Sequence, residues 1–391
     1  MKKRVAFVVQ RYGLEVNGGA EYHCRLIAEL LTDQYEVDVL TTKALDYMTW
    51  ENFYKYDLEE INGVKVRRFE VSKPRNVQLF NQKSDFIFNN KKESTYFDEH
   101  DWMLKQGPAS IDLLQYLKNH HQDYVKVIFF TYNYFTTYYG VHLIPEKSIL
   151  IPTAHDEPPI YLSLYKSLFH LPRHILFNTH EEKDLVHKLF HNERVPYEIV
   201  GVGVNKPMIA ASTSELRLKL RLPENYFIYV GRIDESKGCK ELFEYYLKYK
   251  SERREYPKLV LVGKSVMAIP KDPDIVPLGF VTEEEKFTAI SESLFMVMPS
   301  KYESLSMSVL ESLSISTPVI VNGHSDVLKG HCERGNAGLY YTSYEEFKAC
   351  LELISGEKSL REQMGENGVT YVEQFYNWDA IKESYVIAIE N

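Results

Sequence analysis

Short apolar runs, each closed by a turn signal and followed by a helical or turn segment, recur along this chain. The first half holds RVAFVVQ, YEVDVLTT, VKVRRFE, VKVIFFTY, SILIPTA, HILFNT and YEIVGVGV, and the second holds YFIYVGR, KLVLVGK, IVPLGF, LFMVMPS and PVIVNG. Most of these runs have no polar face to give to water, so they read as strands buried on both sides, as in parallel sheets covered by helices. Helices are expected at roughly 20–32, 109–119 and 180–190 between some of the first set. The class is therefore α/β, with two parallel-sheet layers and helices on both faces. The pattern lapses at GVGVNKPMIAASTSE, Gly201 to Glu215, where Gly, Pro, Ser and Thr interrupt it. A chain of 391 residues with 44% hydrophobic content can bury a core on each side of that break.

The segment YESLSMSVLE, Tyr302 to Glu311, follows the buried run Leu294 to Pro299 and places two carboxylates, Glu303 and Glu311, eight residues apart. Met307, Leu310, Leu313 and Ile315 have the spacing of a helix face. Glu303 then sits in a strand-to-helix loop and Glu311 about two turns into the helix. Such a loop lies at the carboxyl edge of an open sheet, where ligands bind, and the helix start offers N–H groups and partial positive charge to a phosphate. Taken alone, the pair favours the plainer reading of a solvated loop carboxylate and an exposed helix charge.

Four further segments stand at strand ends. In YVGRIDESKG, Tyr229 to Gly238, the strand ends in Gly231-Arg232 and Lys237-Gly238 opens the next helix, setting a permanently charged fork and a flexible ammonium where a diphosphate would fit. NGGAE, Asn17 to Glu21, puts two glycines at a strand-to-helix turn. PTAHDEPP, Pro152 to Pro159, places His155 at a strand end, with Tyr161 just beyond as an acceptor-side candidate. LGFVTEEE carries Phe280 and Val281 before a capping-box pattern of Thr282 and Glu285.

In this order the segments resemble the retaining glycosyltransferases of family 4, whose signature is E-x7-E. The resemblance covers nearly the whole chain and is strongest from Tyr226 to Val321 and at Gly18-Gly19. It implies the GT-B fold, two Rossmann-like parallel-sheet domains facing each other across a cleft, with closure of the domains as part of catalysis. Residues 1–205 would be the acceptor-side domain and 206–376 the donor domain, with a C-terminal helix, 377–391 around Trp378, crossing back to the first. The activity implied is transfer of a hexose-type sugar from a nucleoside diphosphate sugar, a UDP-sugar by family frequency, to a hydroxyl of a saccharide or lipid-linked acceptor, as in surface-polysaccharide assembly. Arg232 and Lys237 would stabilise the leaving diphosphate, Glu303 would contact the donor sugar, and His155 would stand beside the transferred sugar. Gly18 and Gly19 would line the donor phosphate and acceptor side, Phe280 and Val281 the nucleobase, Ser304, Leu305 and Ser306 the donor turn, and Glu311 the ribose. Ser306 departs from the Gly that many members carry in this turn. The alternatives are a GT-B protein that epimerises or hydrolyses a nucleotide sugar, and a non-catalytic glycosyltransferase-like partner subunit.

A formal net charge of −9 argues against a general nucleic-acid binder, which needs clustered Lys and Arg. Four cysteines without paired spacing suit a reducing compartment, so the expected location is cytoplasmic, with peripheral membrane association compatible. The opening MKKRVAFVVQRYG has too few apolar residues for a signal sequence, and no window reaches the ~18 apolar residues of a spanning helix. No metal and no cofactor are expected, the nucleotide sugar being a co-substrate. Asp272-Pro273-Asp274 reads as a solvated turn, and His324, His331 and Cys332 lack a second spaced pair of ligands. Ser72 to Trp102 reads as a long polar loop, an acceptor or membrane-surface element or a plain insertion.

Overall fold

All twelve apolar runs form strands in the computed structural model, which describes residues 2–16, 18–90, 93–205 and 213–391. Asn17 of the glycine turn, Lys91 and Lys92 of the polar segment, and residues 206–212 of the central break lie outside the described residues.

The chain divides into two compact units, Met1–Val202 with Asp379–Asn391, and Gly203–Trp378. The first is built on strands β1 (Arg4–Val8), β2 (Glu36–Thr42), β3 (Leu58–Ile61), β4 (Val64–Phe69), β5 (Val127–Phe130), β6 (Ser148–Ile151), β7 (His174–Phe177) and β8 (Tyr197–Ile199), and the second on β9 (Tyr226–Val230), β10 (Lys258–Val262), β11 (Ile275–Gly279), β12 (Met296–Met298), β13 (Val319–Asn322) and β14 (Gly338–Tyr341). Among the described residues the sheet orders are β3-β4-β2-β1-β5-β6-β7-β8 and β11-β10-β9-β12-β13-β14. Every pairing is parallel except β3 with β4. Strand order reverses between β1 and β5 in one sheet and between β9 and β12 in the other, and at each reversal the loops diverge and leave a crevice at the carboxyl ends.

Burial follows position in the sheet. Central strands β5, β6, β7, β9, β12 and β13 are buried throughout, whereas β3, β8, β11 and β14 at the sheet edges are partly exposed. Edge exposure is why β3 and β14 lack a strong apolar run. The β3–β4 hairpin nonetheless has its signal in the sequence: Asn62 and Gly63 both adopt positive φ, as a two-residue hairpin turn requires.

The long loop expected over residues 72–102 is instead largely helical, with helices Val77–Asn89 and Tyr96–Gln106. Local capping starts both: Asn76 accepts from the Leu79 N–H, and Thr95 with Asp98 forms a reciprocal capping box. Ile87, Trp102 and Met103 then join the core of the first unit. Their apolar positions are sparse because each helix buries only a narrow stripe. Tyrosine is mainly a packing residue in this protein, Tyr12, Tyr124, Tyr132, Tyr138, Tyr165, Tyr226, Tyr229 and Tyr246 being among the largest fully buried side chains.

The C-terminal helix Trp378–Glu390 packs in the first unit, where the Tyr385 hydroxyl lies 3.2 Å from His23 Nε2 and the Tyr35 hydroxyl donates to Glu390 at 2.9 Å. Lys3 and Lys382 pair with Glu390 and Asp33 at its ends. In the second unit, Trp378 Nε1 donates to Asn205 Oδ1 at 2.6 Å and the Val204 N–H to the Tyr376 carbonyl at 3.1 Å, lacing together the two passages of the chain out of that unit. Among the described residues, no helix is long and apolar enough to cross a membrane.

Candidate active site

At the end of β9 the buried Tyr229 hydroxyl donates to the Arg232 carbonyl at 2.7 Å and fixes the turn. Arg232 Nε lies 2.9 Å from Asp234 Oδ2, while Asp234 Oδ1 accepts from the Ser236 N–H at 2.8 Å and caps the short turn Glu235–Lys237. Burial alone would raise the Asp234 carboxyl, but the Ser236 donors and the Arg232 and Lys237 cations hold it below the usual carboxylate range. Gly238 follows with φ +75, and a Cβ there would lie 2.3 Å from the Pro299 carbonyl oxygen. Only glycine lets the β9 loop close onto the β12 loop in this way. That closure brings Lys237 Nζ to 2.7 Å from Glu303 Oε1, across the point where the strand order reverses.

Beyond Glu303 the chain passes through Ser304, Leu305 and Ser306 into helix Met307–Ser314. Ser306 adopts φ 65 and ψ 77, a conformation usually left to Gly, and its buried Oγ has no hydrogen-bond partner among the described residues. Ser306, which stands where the resemblance leads to Gly in many members, thus still takes a Gly-like backbone. Glu311 is the fifth residue of this helix, just over one turn in rather than two, because the loop extends to Ser306, and Ile315 falls at the C-cap. Glu311 is only 8% exposed. Burial raises its carboxyl above the ordinary value, opposed by Lys286, whose Nζ lies 2.8 Å from Oε1. His331, on helix Asp326–Gly335, braces the same turn: Nε2 is 2.7 Å from the Leu305 carbonyl, to which it donates, and Nδ1 is 2.9 Å from the Tyr371 hydroxyl.

Phe280 and Val281 follow β11, Phe280 being 73% exposed and open to a planar partner. The capping box at Thr282 has both arms, Glu285 N–H to Thr282 Oγ1 at 3.2 Å and Thr282 N–H to Glu285 Oε2 at 2.8 Å, and starts helix Glu283–Ser291, which carries Lys286.

In the first unit, Gly18 caps helix Gly19–Leu30. A Cβ on Gly18 would lie 2.0 Å from Glu21 Oε2, whereas one on Gly19 would meet open space. Glu21 in turn holds Arg11, whose Nε and Nη2 donate to Oε1 at 2.9 and 2.6 Å. At the ends of β5 and β6, Thr131 and Thr153 both take positive φ, a strained state for a β-branched residue, and their hydroxyls meet at 3.1 Å. His155 follows directly, with Nε2 at 3.3 Å from Glu157 Oε2. The Tyr132 hydroxyl donates to Glu157 Oε1 at 3.1 Å. Glu182, fully buried in its helix, accepts from the N–H groups of Ala154 at 2.5 Å and Asn178 at 2.6 Å, and burial lifts its carboxyl to about 8 against those donors. Tyr161 is half exposed and donates to Asp156 at 2.6 Å.

The structure therefore gathers Arg232, Lys237, Glu303, Ser304, Leu305, Ser306 and Glu311 at the carboxyl edge of the second sheet, linked through Lys286 to the segment bearing Phe280 and Val281. Gly18, Gly19 and His155 stand at the equivalent edge of the first sheet. Lys286, Glu157, Glu182 and the bracing role of His331 were not legible beforehand. Thr179-x-x-Glu182 does have capping-box spacing, but its carboxylate serves the neighbouring strand end as well as its own helix start. Asp272 and Asp274 are not solvated: Lys250 Nζ lies 2.6 and 2.5 Å from them and Lys258 Nζ 3.0 Å from Asp274. Two lysines facing that turn neutralise it, a tertiary effect the dipeptide spacing cannot show. Among the described residues, no group of three or more His, Cys, Asp or Glu is placed to hold a metal ion.

Residues 213–370, nearly all of the second unit, match the family described as glycosyl transferases group 1. An uncharacterized glycosyltransferase of Methanocaldococcus jannaschii is 24% identical across 99% of each chain. The chain is a glycosyltransferase. Its fold is GT-B, two parallel-sheet α/β domains. Similar solved structures include the sucrose-phosphate synthase of Thermosynechococcus elongatus, TM-score 0.71 at 16% identity over 100% of this chain and 98% of that one. Another is HepE of Anabaena, solved with UDP and glucose, TM-score 0.70 at 12% identity over 99% of both chains.

Proposed function

We propose that this glycosyltransferase is a retaining enzyme of family 4 that transfers a hexose-type unit from a UDP-sugar to a hydroxyl of a saccharide or lipid-linked acceptor in surface-polysaccharide assembly. The observation that carries this reading is the Lys237–Glu303 pair, with Arg232 on the same loop, at the switch point of the second sheet. There the two cations meet the leaving diphosphate, and fixed charges aimed at developing charge need no reorganisation during reaction. When the donor arrives Lys237 exchanges the Glu303 carboxylate for phosphate oxygen, releasing Glu303 to the hydroxyls of the sugar. Glu311 takes the ribose, Phe280 and Val281 the base, and the Ser304–Ser306 turn with the following helix start the phosphates. Gly18, Gly19 and His155 serve the sugar and acceptor side.

Among the described residues of the proposed donor site no side chain is set as a nucleophile, which is consistent with a retaining transfer in which the acceptor attacks from the face the diphosphate leaves. UDP is favoured because HepE, of the same fold, binds it. We further propose that the reaction needs no metal: Arg232 and Lys237 supply the positive charge, while Asp272 and Asp274 are engaged by Lys250 and Lys258. Four free cysteines suit a cytoplasmic location, with the membrane reached peripherally through a lipid-linked acceptor.

A screen of UDP-, GDP- and dTDP-sugars by thermal shift and slow hydrolysis tests the reading. UDP-sugars should stabilise the protein, by about 2.7 kcal/mol at 100 times the dissociation constant. The product should keep the donor's anomeric configuration, and a chelator should leave most activity intact. An inverted product, or activity abolished by chelator and restored by manganese, would overturn the corresponding part.

A further inference from the structure

Glu311 is the one carboxylate of the proposed donor site that is buried within its own helix, between Val309, Leu310, Ser312 and Leu313, which are also buried. An ionised carboxylate in such surroundings persists only with a close partner. Lys286 is that partner at 2.8 Å, its side chain 16% exposed. Its other acidic neighbour, Glu283 at 3.8 Å, has a side chain 71% exposed to water. Lys286 stands one turn after the doubly capped Thr282, so its backbone is fixed to the segment that carries Phe280 and Val281. The ion pair thus ties the proposed base segment to the proposed ribose carboxylate. It engages Oε1 and leaves Oε2 without a hydrogen bond among the described residues.

We propose that Lys286 is a positioning residue for nucleoside recognition, holding the Glu311 carboxylate in the orientation in which Oε2 receives a ribose hydroxyl of the donor. This rests on the reading of Glu311 as the ribose contact. A carboxylate anchored at one oxygen by an ammonium presents the other as a strong, directed acceptor, and a hydrogen bond from a hydroxyl to a charged group is worth more than one to a neutral group. Removing the ammonium leaves Glu311 either protonated or turned toward water, and the hydroxyl loses its charged, directed acceptor in both cases.

The test is the affinity for UDP and for 2′-deoxy-UDP, measured by calorimetry on the full chain as wild type, Lys286→Met, Lys286→Arg and Glu311→Gln. Wild type should prefer UDP by about 10- to 100-fold, the worth of one charge-assisted hydrogen bond. In Lys286→Met and in Glu311→Gln the preference should shrink toward unity, and Lys286→Arg should restore most of it. A purely structural role for Lys286 would weaken both ligands equally and keep the ratio, which overturns the proposal. A wild type that binds both ligands alike, or neither, overturns the reading of Glu311 itself. If Lys286→Met does not fold, Lys286→Gln, which keeps a donor without the charge, carries the same two outcomes.

Discussion

The two sheets share the same reversal of strand order, yet their carboxyl edges treat cations in opposite ways. At the first, Arg11 is locked: its side chain is 12% exposed, two of its nitrogens bond Glu21 and a third the Leu45 carbonyl at 2.8 Å. Arg75 there spends its guanidinium on the carbonyls of Tyr47, Met48 and Gln106, and burial lowers it to about 10. At the second, Lys237 meets Glu303 through a single contact and its side chain is 33% exposed. A buried bidentate pair is costly to break, whereas a half-exposed ammonium exchanges partners at little cost. Cations therefore hold loops together in the first unit, whereas in the second a lysine stays lightly held, as its proposed role at the diphosphate requires. A positive charge near a strand end marks a phosphate site only when its structural commitments are slight.

The largest expected effects follow from that contrast. Lys237→Ala should lower turnover by roughly 100- to 1,000-fold while changing stability by under about 1 kcal/mol. Arg11→Ala should cost about 3–5 kcal/mol of stability, because it leaves Glu21 buried and unpaired. Single-turnover kinetics and urea unfolding on the two variants decide the matter, and equal loss of stability in both would break the comparison.

The buried carboxylates sharpen it. Glu311 faces an ammonium, whereas Glu182 has no ion-pair partner among the described residues and burial, outweighing the Asn178 and Ala154 donors and the His155 charge, pushes its carboxyl up to about 8. A carboxyl whose folded pKa is raised gives stability that is complete below its ordinary value near 4.5 and is lost as pH rises through the folded value. At ~1.4 kcal/mol per pKa unit the loss is at most about 5 kcal/mol. Urea unfolding of wild type should therefore show stability falling between pH 5 and 8.5, and Glu182→Gln should flatten that slope. A slope unchanged in the variant would assign it to other groups.

The smallest effect concerns backbone strain. Ser306→Gly should stabilise the chain by about 0.5–1 kcal/mol, since a left-handed non-glycine residue costs ~1–2 kcal/mol and the glycine's extra freedom when unfolded returns part of it. Thermal unfolding reads the gain. A loss would mean that the buried Ser306 hydroxyl contributes more than the strain costs.

Every apolar run became a strand, most of them inside a covered sheet where both faces are buried, while YEIVGVGV and IVPLGF gave the edge strands β8 and β11. Edge strands β3 and β14 and the helices over residues 77–89 and 96–106 escaped notice because half-exposed elements carry a weaker apolar signal than buried ones. The strand-end positions of Arg232, Lys237 and Glu303 were legible because each lies in a loop after a strand that the apolar pattern marks, whereas their proposed roles came from the resemblance to family 4. Lys286 and Glu182 were not, because a charged residue in a helix is ordinarily solvated, and nothing along the chain says that it faces another element.

The sequence by itself determined the α/β class and the positions of the loops that bear the candidate chemistry, because apolar periodicity and turn residues act over a few neighbouring positions. Tertiary structure decided the partner of each charge: Lys237 for Glu303, Lys286 for Glu311, Lys250 and Lys258 for Asp274, and Glu182 for two strand ends. The reason is physical. Strand and helix tendencies are set by local sterics and burial, whereas an ion pair depends on a separation of a few ångströms between residues far apart in the chain, which does not exist until the sheets have formed.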